Sequence, residues 1–149
     1  MIKACIFDLD GTIADTVESI AVVGNRLLRH YGLQEEPVEN YNFYAGDGAD
    51  ELVKRILHAA HGTETVDYEE ARTLYRKWFE EDPFYHVKPF EGIMQLLTAL
   101  KEEGIKIGVC SNKPHPAALK VMDYLYPGIF DLVIGQQEGI RRKPAPDAP

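Results

Sequence analysis

The sequence predicts an α/β fold: a parallel sheet whose chain leaves after the first strand for an all-helical insert and then returns. Three observations carry that expectation. Residues 2–8, Ile-Lys-Ala-Cys-Ile-Phe-Asp, form a short apolar run closed by Asp10-Gly11, the pattern of a buried strand meeting a turn. Residues 16–84 carry only helical periodicity, and after Pro83 helical and strand patterns alternate. A strand, a helical insert and then alternating α and β segments build a sheet through right-handed crossovers, with later strands beside the first.

The elements follow in order. Over residues 16–31, Ile20, Val23, Leu27 and Tyr31 share one helical face, and Gly32 supplies a C-terminal stop. A polar, Pro-containing linker spans 34–42, followed by a Tyr-rich loop and Ala45-Gly46-Asp47-Gly48. A second helix starts near Asp50, a candidate N-cap, turns Leu52, Val53, Ile56, Leu57 and Ala60 inward, and ends at Gly62. A third covers 67–81 and buries Ala71, Leu74, Tyr75, Trp78 and Phe79. The alternation that follows is helix 93–103, strand 105–110, helix 116–125 and strand 130–135.

Composition narrows the class of function. At 149 residues the chain is one compact unit, or a small core with an inserted subdomain. Lys and Arg number 16 against 24 Asp and Glu, a net charge of −8, which disfavours a polyanionic nucleic-acid partner. Small phosphate esters remain compatible, because a metal and one or two cations invert the field locally. Cys5 and Cys110 each sit in an apolar run and are expected as reduced core residues rather than a disulfide. The N-terminus enters the first strand without a signal-like segment, and nothing approaches the ~20 apolar residues of a membrane span. A cytoplasmic location is the expectation. The five histidines form no metal set.

In parallel sheets, ligands bind at the carboxyl ends of the strands. Asp8 and Asp10 stand at the end of the first, two residues apart and so disposed to one side. An isolated Asp-x-Asp is usually a solvated turn; here the buried run before it and Gly-Thr-Ile-Ala-Asp after it favour a site. The second core strand ends in Ser111-Asn112-Lys113-Pro114. A hydroxyl beside a helix N-terminus is a phosphate cradle, and the same residues also read as an ordinary cap with proline in the first turn. Past the third strand, Arg141-Arg142-Lys143 could focus an anion or form a solvated loop, and Pro144 and Pro146 stiffen it.

Asp8-Leu9-Asp10-Gly11-Thr12-Ile13-Ala14-Asp15 resembles motif I of the haloacid dehalogenase superfamily. Ser111-Asn112-Lys113 resembles motif II, and Lys143-Pro144-Ala145-Pro146-Asp147 resembles motif III of its members with an α-helical cap. Pro89-Phe90-Glu91-Gly92 is similar to the segment where the chain re-enters the core. The resemblance implies a partial Rossmann-like core from residues 1–15 and 85–149, with a helical-bundle cap at 16–84. It implies a Mg2+-dependent phosphomonoester hydrolase working through an aspartyl-phosphate on a small phosphorylated metabolite, nearest the phosphoglycolate phosphatase branch. Asp8 would be nucleophile, Asp10 acid and base, and Lys143 the charge-neutralising lysine. Ser111, Asn112, Lys143, Thr12 and Gly46 would bind substrate, and Asp8 and Asp10 would hold Mg2+.

The same resemblance implies a departure. The pattern continues beyond motif III with a further acidic motif and two strands, so the expectation is a chain truncated before motif IV, with an incomplete metal site. The first strand then becomes an open apolar edge able to pair with another copy. Three readings stay open: a phosphatase fragment, a remnant that binds phosphate or a partner without turnover, and an assembly that completes its sheet from another chain. Among enzymes, pyrophosphatases and sugar-phosphate mutases share nearly the same frame.

Overall fold

A computed structural model describes residues 2–147. Strand β1 is Ala4–Phe7, β4 is Lys106–Pro114 and β5 is Leu132–Gln136; they form a parallel sheet in the order β1-β4-β5. Between β1 and β4 lie helices α1 (Val17–His30), α2 (Tyr41–Tyr44), α3 (Ala49–Ala59), α4 (Tyr68–Glu81) and α5 (Ile93–Glu102), with α6 (His115–Leu125) joining β4 to β5. The α/β class and the parallel sheet expected from the sequence are therefore present. Two-residue strands β2 (Ala14–Asp15) and β3 (Lys88–Pro89) pair antiparallel. They bind the two crossings of the chain between the sheet and the helical insert. No periodicity signals strands this short.

Apolar residues gather in two clusters. One joins α1, α3 and α4 through Ile20, Leu27, Val53, Ile56, Tyr75 and Phe79. The other lies around the sheet, with Leu9, Ile13, Leu97, Ile107, Val109 and Val121. Helices α1, α3 and α4 turn their predicted apolar faces inward, with Tyr31, Ala60, Leu74 and Trp78 only partly buried, and α2 stands within the segment expected as a Tyr-rich loop; packing rather than intrinsic propensity holds the insert together.

Three expectations need correction. The first strand is not buried: Ala4 is exposed and Ile6 is 64% exposed, while Cys5 and Phe7 are half-buried. The apolar run alone reads as buried, whereas the strand stands at the edge, the position the resemblance implied, with one face uncovered. Cys5 is consequently only partly covered, whereas Cys110 is buried; both are free thiols. Asp50 does not cap α3, whose N-cap is Gly48 at φ 86°. Its carboxylate instead receives Arg72 and Arg76 from α4, locking the two helices together. Finally, β4 does not stop at Cys110. Pairing with β5 resumes after a register shift, at Pro114 opposite Gln136, and carries the strand through Ser111, Asn112 and Lys113.

Candidate active site

The carboxyl ends of β1 and β4, the start of α3 and the inner face of α4 form a small cleft lined by Asp8, Asp10, Ser111, Asn112 and Lys113 among others. Asp8 follows β1 directly, and its carboxylate is 45% exposed. Gly11, at φ 74°, turns the chain away immediately afterwards. Lys143 reaches Asp8 Oδ1 at 3.0 Å and also donates to the Cys110 carbonyl. Asp10 is more enclosed. Its Oδ1 accepts from Lys113 Nζ at 2.8 Å and from Thr16 Oγ1 at 2.7 Å. Both donors use the same oxygen, which leaves Oδ2 available for proton transfer.

Lys113 lies within the second motif, where the sequence assigns it no role. Its side chain is 2% exposed, ion-paired to Asp10, with Nζ 4.5 Å from the centroid of the Phe79 ring. A buried ammonium is tolerated only when paired and hydrogen-bonded, and Asp10 and the ring meet that need. The pair joins residues 103 apart in sequence, so local pattern held no signal for it. Phe79 and Tyr75 also line the cleft, although helical spacing identified them only as apolar core.

Asn112 organises the rim. Its Nδ2 donates to the carbonyls of Gly46 at 3.0 Å and Lys143 at 3.2 Å, and its Oδ1 accepts from the Lys143 amide at 2.8 Å. One amide thus ties the end of β4 to the 45–48 loop and to the segment bearing Lys143. Arg142 adds a second tie by donating to the Asp47 carbonyl at 2.7 Å. Ser111 Oγ accepts from the Lys113 amide at 3.1 Å, which leaves its own proton free to donate to a ligand. Gly46 faces the cleft in its loop, and Gly48 packs so closely on the Asn112 carbonyl that an added Cβ would lie 3.3 Å from that oxygen. Thr12 stands exposed on the turn within motif I and does not line the cleft.

Mg2+ is a hard cation that takes oxygen ligands and commonly uses one or two carboxylates with substrate oxygens. Asp8 offers a carboxylate oxygen free of Lys143, and Asp10 offers its main-chain carbonyl. Among the described residues no group of three or more His, Cys, Asp and Glu is placed to hold a metal ion. These residues supply part of a Mg2+ site and not the whole of one.

The family of haloacid dehalogenase-like hydrolases matches residues 5–148. The chain belongs to that family. Its relatives include the phosphoglycolate phosphatase of Aquifex aeolicus, 34% identical over 145 residues, a match covering 97% of this chain and 65% of the relative. That of Nitrosospira multiformis is 31% identical with the same coverages. A crystal structure from Lactobacillus delbrueckii subsp. bulgaricus, provisionally named a phosphoglycolate phosphatase, superposes with a TM-score of 0.88 at 32% identity. That superposition covers 97% of this chain and 69% of the other. The chain therefore spans about 65% of the length of the curated relatives it matches. Among the described residues no helix is long and apolar enough to cross a membrane.

Proposed function

We propose that this chain carries the phosphoryl-transfer site of a phosphomonoester hydrolase that works through an aspartyl-phosphate on a small phosphorylated acid of the phosphoglycolate type. One observation carries the reading. Two carboxylates at the end of one parallel strand face one cleft, each held by a different lysine: Asp8 by Lys143 and Asp10 by Lys113. The names of the relatives support the substrate class. In this reading residues 1–15 and 85–149 form the catalytic core, and residues 16–84 form a cap that shields the reaction from water.

The free oxygen of Asp8 attacks phosphorus, and the bond from phosphorus to the ester oxygen breaks. Asp10 gives its proton to the departing oxygen, leaving an alcohol and a phosphate ester on Asp8. Water then attacks that phosphorus, Asp10 takes the proton from the water, and phosphate leaves with Asp8 restored. Lys143 offsets the repulsion between Asp8 and the incoming dianion, and Ser111 donates to a phosphoryl oxygen. Asp8 and the Asp10 carbonyl would hold Mg2+, completed by a further acidic ligand from outside the described residues. The ion would neutralise phosphate charge.

The test is release of inorganic phosphate from p-nitrophenyl phosphate with added Mg2+. Hydrolysis is expected in the parent chain and absent in Asp8→Asn. The incomplete metal set favours a second reading, in which the chain binds phosphate without turnover; calorimetric binding of phosphate by a chain that releases none would support it instead.

A further inference from the structure

The wall of the cleft built by the inserted helices is almost wholly apolar, with Ile20, Ala45, Ala49, Leu52 and Phe79. The exception is Tyr75 on α4. It is 2% exposed, it lines the cleft, and its hydroxyl makes no hydrogen bond within the described residues. Burial holds the phenol well above its usual range, with the charges of Tyr41 and Asp10 acting in the same direction. The hydroxyl is therefore a neutral donor throughout the working pH range. The buried side-chain atoms that lack a hydrogen-bond partner among the described residues are Tyr31 Oη and Asp50 Oδ1; the Tyr75 hydroxyl instead opens onto the cleft, where an entering acceptor can receive its hydrogen bond.

Tyr75 also belongs to a ladder that ends at the chemistry. Its ring stacks on Phe79 with centroids 5.7 Å apart, and the Phe79 ring in turn covers Lys113 Nζ. Lys113 has three N–H donors and spends one on Asp10. This part of the cleft thus offers the Tyr75 hydroxyl and the Lys113 ammonium, with Phe79 in contact with both side chains, among apolar walls. We propose that Tyr75, acting with Lys113, is a specificity-determining residue that hydrogen-bonds an acceptor group on the leaving side of the phosphoester. A carboxylate matches this pair, since it carries two acceptor oxygens and no donor. A polyhydroxylated tail would turn its donors toward Ile20, Leu52 and Phe79, where nothing receives them.

This inference rests on the phosphoester reading of the site, and the experiment separates the two. The chain is titrated calorimetrically, with Mg2+ present, against inorganic phosphate, ethyl phosphate and 2-phosphoglycolate, and the titrations are repeated with Tyr75→Phe. The parent is expected to bind 2-phosphoglycolate about tenfold more tightly than ethyl phosphate, the size of one hydrogen bond to a charged group. Tyr75→Phe keeps the ring and its stacking, so its thermal midpoint stays close to the parent's. It is expected to erase most of that preference while leaving the other two affinities in place. A parent without the preference, a variant that retains it, or an equal loss for all three ligands overturns the role of Tyr75 alone. A parent that binds none of the three overturns the phosphoester reading, and this inference with it.

Discussion

Asp8 and Asp10 are chemically identical and two residues apart, yet their surroundings give them different structural weight. The partner of Asp8 is Lys143, whose side chain is 31% exposed; the partner of Asp10 is Lys113, at 2%. Removing the charge of Asp8 leaves a lysine that water can reach, and exposed pairs contribute about 0–1 kcal/mol. Removing the charge of Asp10 strands a buried ammonium, for which losses of roughly 3–5 kcal/mol are usual. Urea unfolding should therefore show Asp8→Asn close to the parent and Asp10→Asn clearly less stable. Equal stabilities for the two variants would contradict the burial of Lys113. The same contrast suits the proposed chemistry: Asp8 is open to the cleft, as the proposed nucleophile requires, while Asp10 is held by Thr16 and Lys113.

At the scale of elements, the critical junction is β4 to α6, which delivers Ser111, Asn112 and Lys113. Strand β5 closes against this junction at Gly135, where an added Cβ would lie 2.6 Å from both the Lys113 carbonyl and the His115 Cα. Both atoms are backbone, so no rotamer change relieves the clash. Gly135→Ala is expected to destabilise by about 1–3 kcal/mol and to weaken phosphate binding, because the strand that carries the site must shift. A melt unchanged from the parent would show that β5 packs less tightly on this junction. The signal in the sequence was a lone glycine near the end of a strand pattern, which marks close backbone approach without saying to what.

For the whole molecule, the buried tyrosines set the alkaline limit. Burial pushes Tyr126 up to about 12 and raises Tyr41 and Tyr75 as well. An unfolded tyrosine ionises near ~10, so below that pH all three are neutral in both states and no stability is lost. Between pH ~10 and ~12 the unfolded chain releases protons that the folded chain keeps, and stability falls as pH rises. Denaturant midpoints should be level up to pH ~10 and drop above it, with phenolate absorbance from these residues emerging only on unfolding. The sheet sets a second whole-molecule property. Among the described residues β1 pairs only with β4, and Ile2 and Ile6 are 68% and 64% exposed on its uncovered face. Self-association through this strand should appear in sedimentation as a rise in mass with concentration. Ile6→Lys should suppress it, by placing a charge on an apolar edge; a parent that stays monomeric at high concentration would count against the idea.

The sequence by itself determined the class of fold, and it singled out the helical stretch after the first strand and Asp8, Asp10 and Lys143 as candidate site residues. Hydrophobic period and turn chemistry are local, and strand-end carboxylates followed by glycine are a compact signal. Only the tertiary structure decided that β4 runs on to Pro114 and that Lys113 holds Asp10. It alone turned Tyr75 and Phe79 from helical core into walls of the cleft. Each of these depends on contacts between residues far apart in the chain, and a periodic pattern says which face is apolar without saying what that face will meet.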